Sequence, residues 1–515
     1  MTQERRPSRS QRYRKNTNNQ LLLLLVGVLS VVLIVMVIIG VNIGRSIHSN
    51  PTDSQMSSVP GAESTASTGT PETTVPPTTV PPTTVPPTMV PTLPVTPIGG
   101  EYINVGSGYV AEVIQANVET FEGKTTDDYS YPTNNYLPEG TVDYCASELV
   151  YGSSTKYVLL RSGHRVYLEK KIYPPTKIVP EVKQYAATLP DHNEIGIVSL
   201  ETVGRHSILT LNCLWKAPFY FDTNQKGYAN PTAGKDRDFA VSGMNATYVD
   251  ITFCYATSVT GNLVIPAGHP LFKSAELIQN ESDYTLRLYL RKTGGFYGWH
   301  AYYNDRGQLC FQFLNPAKAS ASDNAYGADL SGVTVMIDVG HGGLDGGAVV
   351  KDAQGQELDE AYLNLLLAKA VRTELEKTGA AVIFNRETDT SININNRLKD
   401  LMDKSPDICI AIHQNSYSSE KVSGFDCMYF TPWSQLLAKN IREYTKESGV
   451  YAKTHLKWSV NYFMMRQSLC PVVLTENGYL SNPDDLAAML DTAKVQAKAQ
   501  AIAQGVAAYF LAINK

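Results

Sequence analysis

Val333-Thr334-Val335-Met336-Ile337-Asp338-Val339-Gly340-His341-Gly342-Gly343 reads as an apolar strand running straight into a glycine-rich loop. Outward from it, strands and helices alternate. A helix is predicted from Glu360 to Lys377, with Leu363, Leu366, Leu367, Ala370, Val371 and Leu375 on its apolar turns and Gly379 as its stop. Ala381–Asn385 is a strand, and Asn395–Lys404 a helix closed by Ser405-Pro406. Strands are expected at Ile408–Ile412, Phe425–Phe430, Tyr462–Met465 and Val472–Leu474, with a helix over Ser434–Ser448. Asn482-Pro483-Asp484-Asp485 combines a capping residue, a proline at the first helical position and two acids that favour the helix dipole. A last helix runs from about Ala493 to Ile513. The pattern over 327–515 predicts an α/β domain, an open, mainly parallel sheet with helices on both faces.

Two histidines and two carboxylates fall just after strand-like runs or at a helix start, where open α/β sheets collect their chemistry. They are His341, Glu360, His413 in Ala411-Ile412-His413-Gln414-Asn415-Ser416, and Glu476 in Thr475-Glu476-Asn477-Gly478. Two imidazoles and one carboxylate suit catalytic zinc, because three protein ligands leave the fourth tetrahedral position open for water. A second carboxylate nearby can take that water's proton.

At these residues the segment from Val333 to Leu511 resembles the zinc-dependent N-acetylmuramoyl-L-alanine amidases of bacterial cell walls. Five motifs carry the resemblance in order. They are Asp338-Val339-Gly340-His341-Gly342-Gly343-Leu344-Asp345; Glu360 with Asn364-Leu365; Arg386-Glu387-Thr388-Asp389, followed by Arg397; Ile412-His413-Gln414-Asn415; and Glu476-Asn477-Gly478-Tyr479-Leu480-Ser481-Asn482. The segment departs from the family pattern at Val339, where the family has proline, and at Tyr479, where it has phenylalanine. It also departs at Leu398–Met402, after the arginine. The resemblance implies His341, Glu360 and His413 as ligands of one zinc ion and Glu476 as the catalytic carboxylate. It implies hydrolysis of the amide between the lactyl group of N-acetylmuramic acid and L-alanine of the stem peptide, with peptidoglycan as partner. Asp345 and Asn415 are candidates to orient the imidazoles or, equally, to stabilise the loops. Another zinc-dependent wall peptidase and a non-catalytic wall-binding scaffold are the alternatives. The eight residues Ser416–Ser423 are too few for a helix that covers the site and returns. The domain 327–515 is therefore expected to be active by itself, with an open zinc site.

The preceding 101–320 is rich in Tyr, Thr and Val in short alternating runs, and is expected to be all-β. Asn134–Leu168 suggests a small barrel and Tyr173–Lys318 a sandwich. Asp305-Arg306-Gly307 suggests a hairpin turn between Trp299–Tyr303 and Gln308–Phe313. Its aromatics (Phe219, Tyr220, Phe221, Phe296, Tyr297, Trp299, Tyr302, Tyr303) serve either as a sugar-stacking surface that binds wall or as core. The seven cysteines are dispersed without a Cys-x-x-Cys pair, which predicts buried thiols rather than a disulfide framework.

Before residue 100 the composition leaves the globular range. Residues 1–20 carry Arg5, Arg6, Arg9, Arg12, Arg14 and Lys15, and 21–43 is an apolar run long enough to cross a bilayer as a helix. The positive-inside rule then predicts a single-pass membrane anchor with its N-terminus cytoplasmic and the rest facing the wall. Residues 44–100 contain Thr-Thr-Val-Pro-Pro three times between Thr73 and Pro87, a composition too polar and proline-rich to fold. It reads as an extended stalk. The net charge of -5 gives no electrostatic case for nucleic acid.

Overall fold

The structure is a computed structural model, and it describes residues 100–103, 108–121, 132–151, 155–224, 244–281, 283–352, 354–459 and 462–515. The expected anchor at 21–43 and the stalk over 44–99 lie outside the described residues. Among the described residues no helix is long and apolar enough to cross a membrane.

The C-terminal half is built on six strands: β1 (Thr334–Val339), β2 (Ala381–Phe384), β3 (Ile408–Asn415), β4 (Phe425–Tyr429), β5 (Thr454–Trp458) and β6 (Val472–Tyr479). Their order is β2-β1-β3-β6-β4-β5, and every neighbouring pair is parallel except β6 with β4. The helices are α1 (Glu360–Glu376), α2 (Ile394–Lys404), α3 (Gln435–Glu447), α4 (Pro483–Leu490) and α5 (Thr492–Ile513). Asp359 caps α1 through Tyr362 N, and Asn482 caps α4 through Asp485 N, so the polar residue before each helix fixes its start. Ser405, in a left-handed conformation, ends α2.

Alternate strand residues face opposite sides of the sheet. Val335, Ile337, Val339, Ile408, Ile410 and Ile412 pack against the apolar stripes of α1, α3 and α5. Met336, Cys409 and Val472 face the other way. They join Leu401 of α2 and Trp433, and then Phe296, Trp299, Phe311 and Phe313 of the β-rich half, in one continuous core. Helices do lie on both faces, but the second face is shared between α2 and a β-sandwich.

That sandwich pairs a five-stranded sheet, from Asn193–Val203 through Leu309–Leu314, with a four-stranded sheet containing Phe219–Asp222 and Tyr284–Leu290. The expected hairpin is present: Trp299 pairs with Phe313 and Tyr303 with Leu309, and Gly307 takes φ +74° in the turn. The barrel-like unit is larger than Asn134–Leu168. Eight strands between Gly100–Ile103 and Val182–Ala186 form one sheet, and strands along its whole path feed a single small core of Val113, Val118, Leu137, Val158, Val166 and Val182.

Polar contacts reinforce the junction of the two halves. Arg205 binds Asp407 Oδ2 at 3.0 Å and Thr334 Oγ1 at 2.9 Å. Arg466 grips both oxygens of Glu119 at 2.8 and 3.0 Å. Trp299 N donates to Ser468 O while Ser468 Oγ donates back to Trp299 O. Gly298, at φ +137°, lies so close to Leu469 that a Cβ would sit 2.5 Å from its carbonyl oxygen. The expectation of an independent domain over 327–515 does not fit this packing, since cutting there would strip a sheet face of its cover.

Two local expectations are corrected and a third is met. The strand expected at Tyr462–Met465 is a 3-10 turn at Met464–Arg466, and β5 lies upstream of it, where Thr454-His455-Leu456-Lys457-Trp458 alternates. Of the aromatics offered as a sugar surface, Phe219, Phe221, Phe296, Tyr297 and Trp299 are buried, so they are core. All seven cysteines are free thiols, and six are buried.

Candidate active site

The candidate residues meet at the C-terminal ends of β1, β3 and β6. His341 follows β1 in the glycine-rich loop with φ +58°, a left-handed conformation unusual for a side chain of this size. Paired backbone hydrogen bonds between Gly342 and Asp345 hold the turn, and Arg397 donates to His341 O at 3.0 Å. Arg386 donates to Gly340 O at 2.7 Å and to Ala361 O at 2.8 Å, tying the loop to the start of α1. Glu360 is the first residue of that helix and is 5 % exposed. Gly340 and Gly347 admit no side chain: a Cβ at Gly340 would meet the His413 ring at 2.4 Å, and one at Gly347 would meet Glu360 Oε2 at 2.4 Å.

His341 Nε2 lies 3.2 Å from Glu360 Oε2, and His413 Nδ1 lies 3.0 Å from Glu360 Oε1. The three ligand atoms fall within 4.8 Å of one another. Zinc–nitrogen and zinc–oxygen bonds of about 2.0–2.1 Å at tetrahedral angles imply ligand separations of roughly 3.3 Å, so the donor set fits that ion. The cross-strand register puts His413 and Asp426 on either side of Glu476, in one row across β3, β6 and β4.

The electrostatics divide the carboxylates. Burial works against the charged form of Glu360, but hydrogen bonds from His341 and His413 hold its carboxyl far below the usual range. Burial would lower His341, yet hydrogen bonds to Asp345 and Glu360 hold it up to about 9. Glu476 goes the other way. Burial, then the negative charges of Glu360 and Asp426, push it up to about 8. Its Oε2 has no partner in the protein, nor have Asn364 Oδ1, Gln414 Oε1 and Asn477 Oδ1. Buried polar oxygens without partners are rare, and Glu476 is the one among the four candidate site residues that carries one.

Asp345 and Asn415 separate. Asp345 Oδ2 accepts from His341 Nδ1 at 2.8 Å, which leaves Nε2 free to ligate. Asn415 Oδ1 instead accepts from Ser416 N and serves the turn. Asp345→Asn is expected to weaken metal affinity about 10–100-fold, whereas Asn415→Ala is expected to leave it within about twofold. Metal-buffer titrations of the two variants check this, and equal effects would remove the distinction.

Sequence reading missed the neighbourhood of Asp426. This buried carboxylate accepts from His455 Nδ1 at 2.8 Å, Lys457 Nζ at 2.9 Å and the Tyr479 hydroxyl at 3.1 Å. Its one signal is a charged residue inside the apolar run Phe425-Asp426-Cys427-Met428-Tyr429. The residues between Asn415 and Gly424 form a loop without helix, as their number predicts.

Residues 335–508 match the family model described as N-acetylmuramoyl-L-alanine amidase. The probable cell wall amidase LytH of Staphylococcus aureus is 32 % identical over 183 residues, 36 % of this chain and 60 % of that protein. The chain thus spans less than two thirds of the curated relatives it matches. Among solved structures, the catalytic domain of the amidase CwlV from Bacillus (Paenibacillus) polymyxa is 29 % identical with a TM-score of 0.32, covering 34 % of this chain and 97 % of that one. The CwlD amidase of Clostridioides difficile, solved with the GerS lipoprotein, is 25 % identical with a TM-score of 0.33, covering 35 % and 99 %.

Proposed function

We propose, from the match of residues 335–508 to the N-acetylmuramoyl-L-alanine amidase family model, that this chain hydrolyses the amide between the lactyl group of N-acetylmuramic acid and L-alanine of the stem peptide. The observation that carries the proposal is the convergence of His341, Glu360 and His413 around one point, with the uncommitted carboxylate of Glu476 beside them. Zinc bound there would polarise the scissile carbonyl and acidify a water. Asp345 fixes the His341 tautomer, and Asn364 Nδ2 and Gln414 N, each donating to Glu360 Oε1, hold that carboxylate in place. Glu476 takes the proton from the attacking water and passes it to the departing amine of L-alanine. Digestion of purified peptidoglycan by the zinc-loaded chain should release new L-alanine amino termini and no new reducing sugars. New termini on another residue would instead indicate a wall peptidase.

The basic 1–20 and apolar 21–43 support a single-pass anchor, with 44–100 as the stalk that carries the enzyme outward. Protease added to protoplasts should remove everything beyond the stalk and leave a small membrane-bound stub. Complete protection would refute the topology.

A further inference from the structure

Away from the site just described, a cavity of about 340 Å³ opens at the junction of the two halves, between the strand region around Asn117–Glu119 and the outer side of α2. That is the size of a small-ligand pocket. Two buried carboxylates face it. Glu119 is satisfied by Arg466, which takes both its oxygens. Glu181 is 7 % exposed and is not satisfied. Its Oε1 is 3.8 Å from Lys170 Nζ, beyond hydrogen-bond range, and its Oε2 has no partner. Lys170 stands off because its ammonium lies over the Phe463 ring, 3.4 Å from the centroid. Phe463, Leu398 and Met402 give the same cavity apolar walls.

A buried carboxylate oxygen without a donor is costly, and no packing need of the fold explains it. The arrangement calls for an N–H donor at the end of a methylene chain, the chain lying along Phe463, Leu398 and Met402. Lys170 offsets the charge of Glu181, Arg466 that of Glu119 and Lys399 that of Asp403, so what selects an N–H donor is the undonated Glu181 Oε2 and not a net charge. We propose that this cavity binds an aliphatic primary amine, which in the wall is the free side-chain amine of the stem peptide's diamino acid. The amine chemistry stands on the cavity alone; its identification with peptidoglycan rests on the amidase reading. A second cavity of about 500 Å³ shares Ala116, Asn117 and Met402 with the first and continues past Tyr302 and Tyr303, giving room for the peptide beyond the amine. The β-rich half would then hold one stem peptide while the site at the C-terminal ends of β1, β3 and β6 cuts another.

Burial pushes the Glu181 carboxyl from 4.5 up to about 7, with Lys170 opposing and Glu119 adding to the rise. Below pH 4.5 the group is neutral folded or unfolded and costs nothing. As pH rises through 7 the folded state must carry a buried charge, and stability falls. Glu181→Gln is therefore expected to leave the melting temperature nearly unchanged at pH 4.5 and to raise it at pH 8. A residue that costs stability in the unliganded fold is what a binding role predicts.

The test uses the full-length zinc-loaded chain and two probes, the stem tripeptide L-Ala-γ-D-Glu-L-Lys and the same peptide acetylated on the lysine Nε. Calorimetry should show the free amine binding at least tenfold tighter than the acetylated peptide, and Glu181→Gln should abolish that difference. Equal affinity for the two probes in the unmutated chain overturns the proposal and needs no variant to fold. A preference that survives Glu181→Gln also overturns it, since the amine then binds elsewhere. Release of L-alanine termini from a soluble muropeptide by the unmutated chain is measured in parallel. If the unmutated chain binds the amine but releases no L-alanine, the amidase reading fails and the amine site stands.

Discussion

Glu476→Gln is expected to lower turnover of peptidoglycan by about 10²–10⁴-fold, the range that general base catalysis supplies, while zinc content stays at that of the unmutated chain. The reason is geometric. In the proposed site His341, Glu360 and His413 would supply all three protein ligands, and Glu476 stands in the adjacent strand, so its loss would cost a proton acceptor and no ligand. A second consequence separates catalysis from packing. The carboxyl is buried and pushed up to about 8 by burial and by the charges of Glu360 and Asp426. Being raised above its unfolded value, it weakens the fold as pH climbs through 8, and the isosteric amide removes that penalty. With zinc stripped from both chains, Glu476→Gln should therefore melt higher than the unmutated chain above pH 8, and when reloaded it should be nearly inactive. Elemental analysis, an amino-terminus assay and thermal scans on one preparation check all three outcomes. Activity within tenfold of the unmutated chain would exclude Glu476 as the base.

Trp299→Ala is expected to destabilise the whole described assembly by about 3–5 kcal/mol, the range for truncating a fully buried aromatic. The indole is 1 % exposed and stacks on Phe221 at 4.1 Å, and its core continues into Met336, Cys409 and Val472 of the catalytic sheet. Its backbone exchanges two hydrogen bonds with Ser468, just before β6. Damage in the sandwich thus reaches the strand that carries Glu476. Urea unfolding followed by near-ultraviolet circular dichroism and by residual amidase activity should give coincident transitions in both proteins, shifted together to lower urea in the variant. Separate transitions, with the activity midpoint unmoved, would show that the two halves fold independently. By the same argument, a chain cut to 327–515 should aggregate, because it would expose Met336, Cys409, Val472, Trp433 and Met464.

Much of the catalytic half is legible because its local signals agree. Asn482-Pro483 starts α4, Ser405-Pro406 closes α2, and the apolar runs at 333–339 and 408–412 are strands. Where local signals conflict, tertiary contacts choose. Tyr462–Met465 has strand composition, yet Arg466 and Gln467 are drawn to Glu119 and Asn117 of the β-rich half, and the chain turns there. Thr454–Trp458 becomes a strand because His455 and Lys457 reach Asp426 on β4.

By itself the sequence determined the candidate residues that the fold brings together and the alternation that carries them. Imidazole and carboxylate groups at strand and helix ends mean the same thing whatever surrounds them. Only the tertiary structure decided that Asp345 orients His341 while Asn415 merely braces a turn, that Trp299 is core rather than a sugar platform, and that Glu181 is left with an unpaired oxygen. Above all it decided what covers the second face of the sheet. A period of two residues reveals that Met336 and Cys409 point away from Val335 and Ile408, but an apolar face has no directional preference for a helix over a sandwich. That choice rests on the shape of Phe296, Trp299, Phe311 and Phe313, which no pattern within the strands specifies.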